Sequence, residues 1–281
     1  MDATMRVSSA SAAVLGMKDV KMHAKPTTIY LMNTGGCEYS CGFCAQGKQA
    51  SSKEDKLSRV TWPEYSTDKV LDTLAEKQGE YKRICMQVVN TKNIFKTLPK
   101  TVEVLRAKAP NAKLAMTIRT YNIADVDAMF AAGVSEVGLS IDAIDPEQFK
   151  KIKGGSFEAH KAFVLKAADK YPGKIATHLI VGMGETEKQV VELMEELHAH
   201  KIIIAMFAFT PVKGARMEFS TPPDINSYRR IQVALHLIRN NLPHRFGYDE
   251  KGQLNAYGHS NDGLMAMLKG SNVFETSGCS D

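Results

Sequence analysis

The stretch KLAMTIRTYNIADVDAMFAAGVSEVGLSI, residues 113–141, decides the fold class. It opens with an apolar run of strand length, continues with a helical pattern over residues 122–132, and meets Gly133 before a second apolar run at residues 136–141. Because helices commonly end at a glycine, the helix is predicted to stop there and the chain to return to the sheet. Strand, helix and strand in this order predict a right-handed βαβ unit with parallel strands.

The same alternation extends over most of the chain. The apolar runs are short and rich in β-branched residues, as buried parallel strands are. The predicted strands are residues 28–32, 83–89, 113–118, 136–141, 175–181 and 203–209, and the predicted helices are residues 64–78, 93–107, 122–132, 145–171, 187–200 and 224–240. We therefore expect a parallel α/β fold with six βα units, either a closed barrel or an open doubly wound sheet. Residues 245–248 and 273–276 are candidates for strands 7 and 8 that close or cap a barrel.

Length and charge restrict the class of protein. The 281 residues suffice for one β/α domain, predicted over residues 27–281 after an N-terminal extension at residues 1–26. Lys and Arg number 36 against 31 Asp and Glu, and the net charge of +5 is spread out, so no nucleic-acid partner is expected. No window holds the roughly 20 apolar residues of a membrane span, and the apolar patch at residues 12–15 is too short for a secretory signal. We expect a loose leader on a cytoplasmic protein that does not enter a membrane.

Three of the five cysteines follow the first predicted strand with the spacing C-x3-C-x2-C. They are Cys37, Cys41 and Cys44, and Gly35 and Gly36 precede them where the backbone must wrap around a ligand. Three thiolates so close together suit three irons of a cubane, and the absence of a fourth nearby cysteine leaves one iron open. The alternatives are a structural zinc site, which wants four nitrogen or sulfur ligands, and a chance cluster of inert thiols.

The cysteine spacing, with the aromatic Phe43 before the last cysteine, resembles the radical S-adenosylmethionine (SAM) superfamily. The resemblance implies a TIM-type (β/α) barrel with the active site at the carboxyl ends of its strands. It also implies that Cys37, Cys41 and Cys44 form the catalytic centre by binding a 4Fe-4S cluster. The amino and carboxylate groups of SAM would chelate the open iron of this cluster. Cleavage of SAM would give a 5′-deoxyadenosyl radical that removes hydrogen from unactivated carbon.

Further segments match positions where the superfamily contacts SAM. Residues 180–186 resemble the motif beside the adenine, Ser140 and Asp142 match the polar positions at the ribose, and Arg119 is placed to meet the carboxylate. The implied SAM-binding residues are Phe43, Arg119, Ser140, Asp142, Ile180, Gly182 and Glu185. The alternatives are an ordinary strand-to-helix turn for residues 180–186, a helix cap for Asp142 and a surface ion pair for Arg119.

The resemblance is strongest to the biotin-synthase-like group, with one departure. Cys85 matches a ligand of the auxiliary 2Fe-2S cluster of biotin synthase, but the other two cysteine positions fall on Ala115 and Ala176, which cannot bind iron. Biotin synthase activity of the usual kind is therefore not expected. The alternative for Cys85 is a small buried hydrophobe.

Several segments resemble the two-protein, archaeal-type lipoyl synthases. They are residues 29–32, 44–46, 57–63, 177–180, 207–212 and 276–279. The resemblance implies sulfur insertion into an octanoyl chain on a carrier protein, together with a paralogous radical SAM partner subunit. In that family Thr-Ser-Gly-Cys is followed by another cysteine, whereas here Asp281 ends the sequence. We expect Cys279 to be one ligand of an auxiliary cluster whose other ligands lie beyond Asp281, the alternative being a free thiol in a frayed tail.

Two other functions compete with sulfur insertion. One is another C–H activation or rearrangement that needs only one cluster, and the other is a non-catalytic iron-sulfur protein. An octanoyl substrate predicts an apolar slot, for which the candidates are Met86, Met116, Met183, Met206, Phe207 and Phe209, although plain core packing is the alternative. Either enzyme needs an external reductant, a flavodoxin or ferredoxin. The helix with Tyr228, Arg229 and Arg230 is a candidate docking face for an acidic carrier or reductant, or else an ordinary solvated face.

Overall fold

A computed structural model describes residues 3–275 of the chain. These residues divide into two compact units. Unit 1 contains residues 3–140 and Pro211–Phe219, and unit 2 contains Ile141–Thr210 and residues 220–275. None of the helices within residues 3–275 combines the length and apolar composition needed to cross a bilayer.

Unit 1 is built on a six-stranded stretch of sheet in the order β5-β1-β2-β6-β7-β8. Its strands are β1 (Thr4–Val7), β2 (Thr28–Asn33), β3 (Lys56–Leu57), β4 (Val60–Thr61), β5 (Glu64–Ser66), β6 (Arg83–Gln87), β7 (Lys113–Ile118) and β8 (Glu136–Leu139), and its helices are α1 (Ser9–Val14), α2 (Thr67–Glu76), α3 (Ile94–Lys108) and α4 (Ile123–Ala131). Strands β2, β6, β7 and β8 are parallel, as predicted. Strand β1 is antiparallel to both β2 and β5, and β3 and β4 form a separate hairpin.

The register gives this sheet one apolar and one polar face. Leu31, Met86 and Met116 lie side by side on the first face and are each no more than 1% exposed. Because successive residues of a strand point to opposite faces, Cys85 lies on the other. That face carries Gln87, whose amide donates to Cys85 Sγ at 3.3 Å. Met86 and Met116 therefore belong to the packed core and share no face with Cys85.

Unit 2 contains the rest of the βα units. Its helices are α5 (Pro146–Ile152), α6 (Phe157–Lys170), α7 (Glu187–Ala199), α8 (Ile225–Arg239) and α9 (Asn261–Leu268), and its strands are β9 (Ile175–Val181), β10 (Ile203–Ala208), β11 (Gly247–Tyr248) and β12 (Leu254–Ala256). Strands β9 and β10 are parallel over their full length, as predicted. Side-chain caps begin the helices: Thr186 and Gln189 form a capping box on α7, and Asp224 accepts from Ser227 N on α8.

The structure differs from four of the predictions. The helix predicted over residues 145–171 is two helices, because Gly154 and Gly155 adopt positive φ and end α5. Residues 64–66 pair with β1 as a strand instead of starting a helix. The N-terminal segment, which was expected to be a loose leader, contains strand β1 and helix α1. Strand β1 is stabilised by pairing with β2.

The fourth difference concerns the candidate closing strands 7 and 8. Gly247–Tyr248 pairs with Leu254–Ala256 in a separate two-stranded ribbon. Residues 273–275 lie in a turn, closed by a hydrogen bond from Glu275 N to Asn272 O, and Thr276 lies outside the described residues. Within the part of the chain that the structure describes, neither segment joins the main sheet.

Candidate active site

The three cysteines lie in a loop that leaves β2 with tight backbone turns. Gly35 has φ of 104°, and a Cβ there would lie 2.8 Å from the Thr91 side chain, so the path requires glycine. Cys44 N donates to Cys41 O at 3.1 Å, which curls the chain between these two ligands. Cys37, Cys41, Phe43 and Cys44 are all partly exposed, so the thiols are reachable from solvent.

Cys37 is fixed by apolar packing at one end of this loop. It lies against the buried cluster of Met32, Trp62 and Val89. Its Sγ also accepts a hydrogen bond from Tyr39 N at 3.4 Å. Trp62 belongs to residues 57–63, one of the segments that resemble the lipoyl synthases, so this segment packs against the cysteine loop at Cys37.

Arg119 extends from the end of β7 to the cysteine loop. Its Nη1 lies 3.3 Å from Cys41 Sγ, and its guanidinium stacks 3.9 Å from the centre of the Tyr39 ring. Burial works to lower the pKa of Arg119, but the Cys41 sulfur and the Tyr121 hydroxyl outweigh it and raise the pKa above its usual value. The guanidinium is thus a permanent cation beside a thiol, and its expected contact with the SAM carboxylate stays a prediction.

The donor set fits a cluster better than a single metal ion. A structural zinc site takes four nitrogen or sulfur ligands, whereas the loop supplies three thiols. Three reachable thiols in a glycine-permitted loop, with a cation beside one of them, suit a larger anionic group. Cys37, Cys41 and Cys44 would be its ligands.

A distant segment of the chain, Pro211–Phe219, supports the cysteine loop, and we name it the brace. Met217 N donates to Gly42 O at 3.0 Å, and Arg216 Nη2 donates to Ser40 O at 3.4 Å. At its other end Ser51 N donates to Gly214 O at 2.8 Å. Sequence reasoning quoted residues 207–212 only for a family resemblance and missed this role, because an irregular segment carries no periodic pattern.

In unit 2, Asp142 stands in an unusual turn beside β9. Its φ is 61°, and its backbone bridges to β9 through hydrogen bonds from Asp142 N to His178 O and from Ile180 N to Asp142 O. The carboxylate pairs with Lys153, whose Nζ lies 2.7 Å from Oδ2. Ser140 directly follows β8 in unit 1.

The turn after β9 is held by its own acidic residue. Glu185 accepts from Gly182 N at 2.5 Å through Oε1 and from Met183 N at 3.0 Å through Oε2. Gly182 has φ of 105°, and a Cβ there would lie 2.6 Å from the ring of Pro223, so the turn passes where only glycine fits. Glu185 therefore fixes the shape of the motif, with both carboxylate oxygens engaged by the backbone.

Comparison with known proteins identifies the family. Residues 33–197 match the model of the radical SAM superfamily. The chain belongs to this superfamily. Its cofactors are accordingly a 4Fe-4S cluster and SAM, and its parallel, TIM-type fold class is confirmed.

This radical SAM protein is similar to several known proteins. It is 24% identical to a biotin synthase of Leptospira interrogans over 87% of this chain and 72% of that protein. It is also 24% identical to a biotin synthase of Erythrobacter litoralis over 74% of this chain, and it spans only 62% of that protein's length. Among solved structures it resembles the FeFe-hydrogenase maturase HydG from Carboxydothermus hydrogenoformans, with a TM-score of 0.61 and 14% identity over 89% of this chain and 57% of HydG.

Of the three positions of this radical SAM protein that resemble the auxiliary-cluster ligands of biotin synthase, two are alanines. Cys85 is buried, and its neighbour in the register on β7 is Ala115, a methyl group that binds no iron. Ala176 lies on β9 in unit 2, paired with Ile203. Cys279 lies outside the described residues.

The residues expected to form a docking face on α8 make internal contacts. Arg230 forms a bidentate pair with Glu187, at 2.6 and 3.0 Å. Arg229 Nη1 donates to Phe274 O, and the buried Tyr228 donates to Met206 O. These side chains stabilise unit 2, because their polar groups form hydrogen bonds with α7, β10 and the C-terminal segment.

Proposed function

We propose that this radical SAM protein is one subunit of a two-protein lipoyl synthase, which inserts sulfur into a protein-bound octanoyl chain. The observation that carries the radical chemistry is the loop of Cys37, Cys41 and Cys44 with Arg119 at 3.3 Å from Cys41 Sγ. The octanoyl substrate is supported by the resemblance of six segments to that family. When bound, the 4Fe-4S cluster and SAM supply a 5′-deoxyadenosyl radical.

Each site residue has a separate part in this proposal. Cys37, Cys41 and Cys44 bind the cluster, and Arg119 offsets the negative charge of the thiolates and is available to the SAM carboxylate. Ser140 and Asp142 accept from the ribose hydroxyls. Phe43 and the turn formed by Ile180, Gly182 and Glu185 pack against the rest of the nucleoside, where glycine allows a close approach.

Sulfur insertion also needs a sulfur source. We propose an auxiliary iron-sulfur cluster with Cys279 as one ligand, and with Cys85 as a less favoured one because Ala115 stands beside it. The partners in this proposal are the octanoylated carrier protein, a paralogous radical SAM subunit and a flavodoxin or ferredoxin that delivers the electron. We expect these encounters in the cytoplasm.

A second function is favoured by the polar face of the unit 1 sheet. Beside Cys85 this face carries Gln87, which also donates to Thr117 Oγ1 at 3.4 Å, and the Arg83–Glu136 ion pair at 3.2 Å. Polar side chains on the face of Cys85 suit a substrate with polar groups better than an alkyl chain. A different C–H activation or rearrangement, run with one cluster, is therefore the alternative proposal.

The deciding experiment incubates the anaerobically reconstituted protein with dithionite, SAM and an octanoylated carrier peptide, with and without the candidate partner subunit. The lipoyl proposal expects 5′-deoxyadenosine and a thiolated octanoyl product, and iron in excess of one cubane. Production of 5′-deoxyadenosine without sulfur transfer, at four irons per chain, would favour the alternative. If SAM is not cleaved, the protein is a non-catalytic iron-sulfur protein.

A further inference from the structure

Asp142 is held in a backbone conformation that costs free energy. Its φ is 61°, and Ala143 N donates to Ile141 O at 2.9 Å across it. A hydrogen bond that spans three residues around a central positive φ forms the rare, strained type of γ-turn. Such strain persists only where surrounding contacts over-determine it, and it concentrates at functional sites.

Lys153 adds side-chain contacts to the backbone bridge that holds this turn against β9. Its Nζ lies 2.7 Å from Asp142 Oδ2 and 3.1 Å from Ile141 O, so one ammonium group binds both the side chain and the preceding carbonyl. The Lys153 side chain is 2% exposed. A lysine is almost never buried to this degree without a specific partner, and this one sits at the C-terminal cap of α5, which fixes its position.

The pairing uses only half of the Asp142 carboxylate. Lys153 engages Oδ2, and among the described residues no donor bonds to Oδ1. The side chain keeps 11% of its surface accessible. A carboxylate oxygen in this situation has the capacity to accept hydrogen bonds from a ligand's hydroxyl groups.

We propose that Lys153 is a positioning residue, which fixes Asp142 in the γ-turn so that Oδ1 accepts from the ribose hydroxyls of SAM. This inference rests on the proposed function, which assigns Asp142 to the ribose. It adds that the affinity gained from the hydroxyls depends on Lys153, a side chain that itself touches no ligand. A purely structural ion pair would change stability and leave this part of the affinity intact.

The test compares two ligands on the anaerobically reconstituted full chain. Isothermal titration calorimetry gives Kd for SAM and for its analogue without the 2′- and 3′-hydroxyls. Since a hydrogen bond to a charged group is strong, the wild type should bind SAM about 10- to 100-fold more tightly than the analogue. The ratio of the Kd for the analogue to the Kd for SAM should fall about tenfold in Lys153→Met, while the Kd for the analogue itself changes little. Asp142→Asn should lower the ratio likewise.

Two further variants keep the test decisive. Lys161→Met removes a lysine that pairs with Glu196 at 2.7 Å elsewhere in unit 2, and it should leave the ratio unchanged. Lys153→Arg retains the positive charge, so the buried Asp142 carboxylate keeps a partner and the variant should stay folded. Its planar guanidinium cannot make the same two contacts as the ammonium group, so the ratio of the two Kd values should still fall.

The outcomes separate this inference from the function on which it rests. A wild-type ratio in either Lys153 variant would overturn the positioning role, and so would a wild-type protein that does not distinguish the two ligands. A reconstituted wild type that binds neither ligand would instead refute the proposed function itself.

Discussion

At the scale of single residues, the contact between Arg119 and Cys41 has the most direct chemical consequence. The guanidinium lies 3.3 Å from Sγ and is held by the ring of Tyr39. A reduced cluster carries one more negative charge than an oxidised one, so a neighbouring cation stabilises the reduced form. With the cluster bound, Arg119 would therefore make it easier to deliver the electron that SAM cleavage requires.

We therefore expect Arg119→Met to lower the reduction potential of the cluster. Loss of one charge-assisted contact corresponds to about a tenfold change in the one-electron equilibrium, or about 60 mV. A redox titration followed by electron paramagnetic resonance measures this shift. Arg216→Met is the matched control, because Arg216 reaches the same loop through the Ser40 carbonyl, and it should shift the potential much less. Equal shifts in both variants would contradict the role given to Arg119.

At the scale of elements, α5 connects helix capping to the placement of Lys153. Asp145 caps α5 by accepting from Gln148 N at 2.9 Å, and Gln189 donates to its other oxygen. The backbone hydrogen bond from Gln148 holds the pKa of Asp145 below its usual value, although partial burial opposes it. The cap therefore favours folding most when the carboxylate is charged.

Asp145→Ala should destabilise the protein by about 1 kcal/mol at neutral pH, the usual cost of a lost cap. Because the folded pKa is depressed, this contribution is complete above the usual pKa of 3.8 and is lost as the pH falls through the folded pKa. Urea unfolding at a series of pH values should show the gap between wild type and variant closing in acid. Asp145→Asn keeps a capping oxygen that does not titrate, so a wild-type pH dependence in that variant would count against this explanation.

The brace should matter for retention of the cluster. A Cβ on Gly214 would lie 2.5 Å from Ser52 N and 2.8 Å from Ser51 C, at a φ of 83°. Gly214→Ala must therefore displace the brace from the cysteine loop. We expect faster loss of iron to a chelator and little change in secondary structure.

Gly16→Ala is the control for this comparison. Gly16 has a similar φ of 69° but open space around its Cα, so this variant tests the backbone strain alone. If both glycine variants release iron at the same rate, the brace has no specific role in supporting the loop.

The predictable elements were those with a local pattern. Strands such as β7 and β9 are short, mainly apolar segments of strand length, and the spacing of Cys37, Cys41 and Cys44 is itself the pattern of the site. Strands β1 and β5 were missed because they have only four and three residues and depend on pairing: β1 pairs with β2, and β5 pairs with β1. Gly154 and Gly155 mark the break between α5 and α6. The break was missed because the sequence on both sides of these glycines has a helical pattern.

At the scale of the whole molecule, the site contacts that were missed join residues distant in the sequence. The brace meets the cysteine loop across more than 160 positions, and nothing near Gly42 in the sequence points to Met217. Lys153 meets Asp142 over only 11 positions, but the positive φ that brings them together is not encoded by any local motif. Family resemblance named Arg119, and only the structure supplied its contact with Cys41.

We propose that Cys37, Cys41 and Cys44 support reductive cleavage of SAM, and formation of 5′-deoxyadenosine by cysteine variants decides whether they do. Reconstituted wild type, Cys41→Ser and Cys85→Ser are incubated anaerobically with dithionite and SAM, and 5′-deoxyadenosine is quantified. Wild type and Cys85→Ser should form it, and Cys41→Ser should not. Product from Cys41→Ser at the wild-type level, or none from a wild type that carries its full complement of iron, would show that the three cysteines do not have this role.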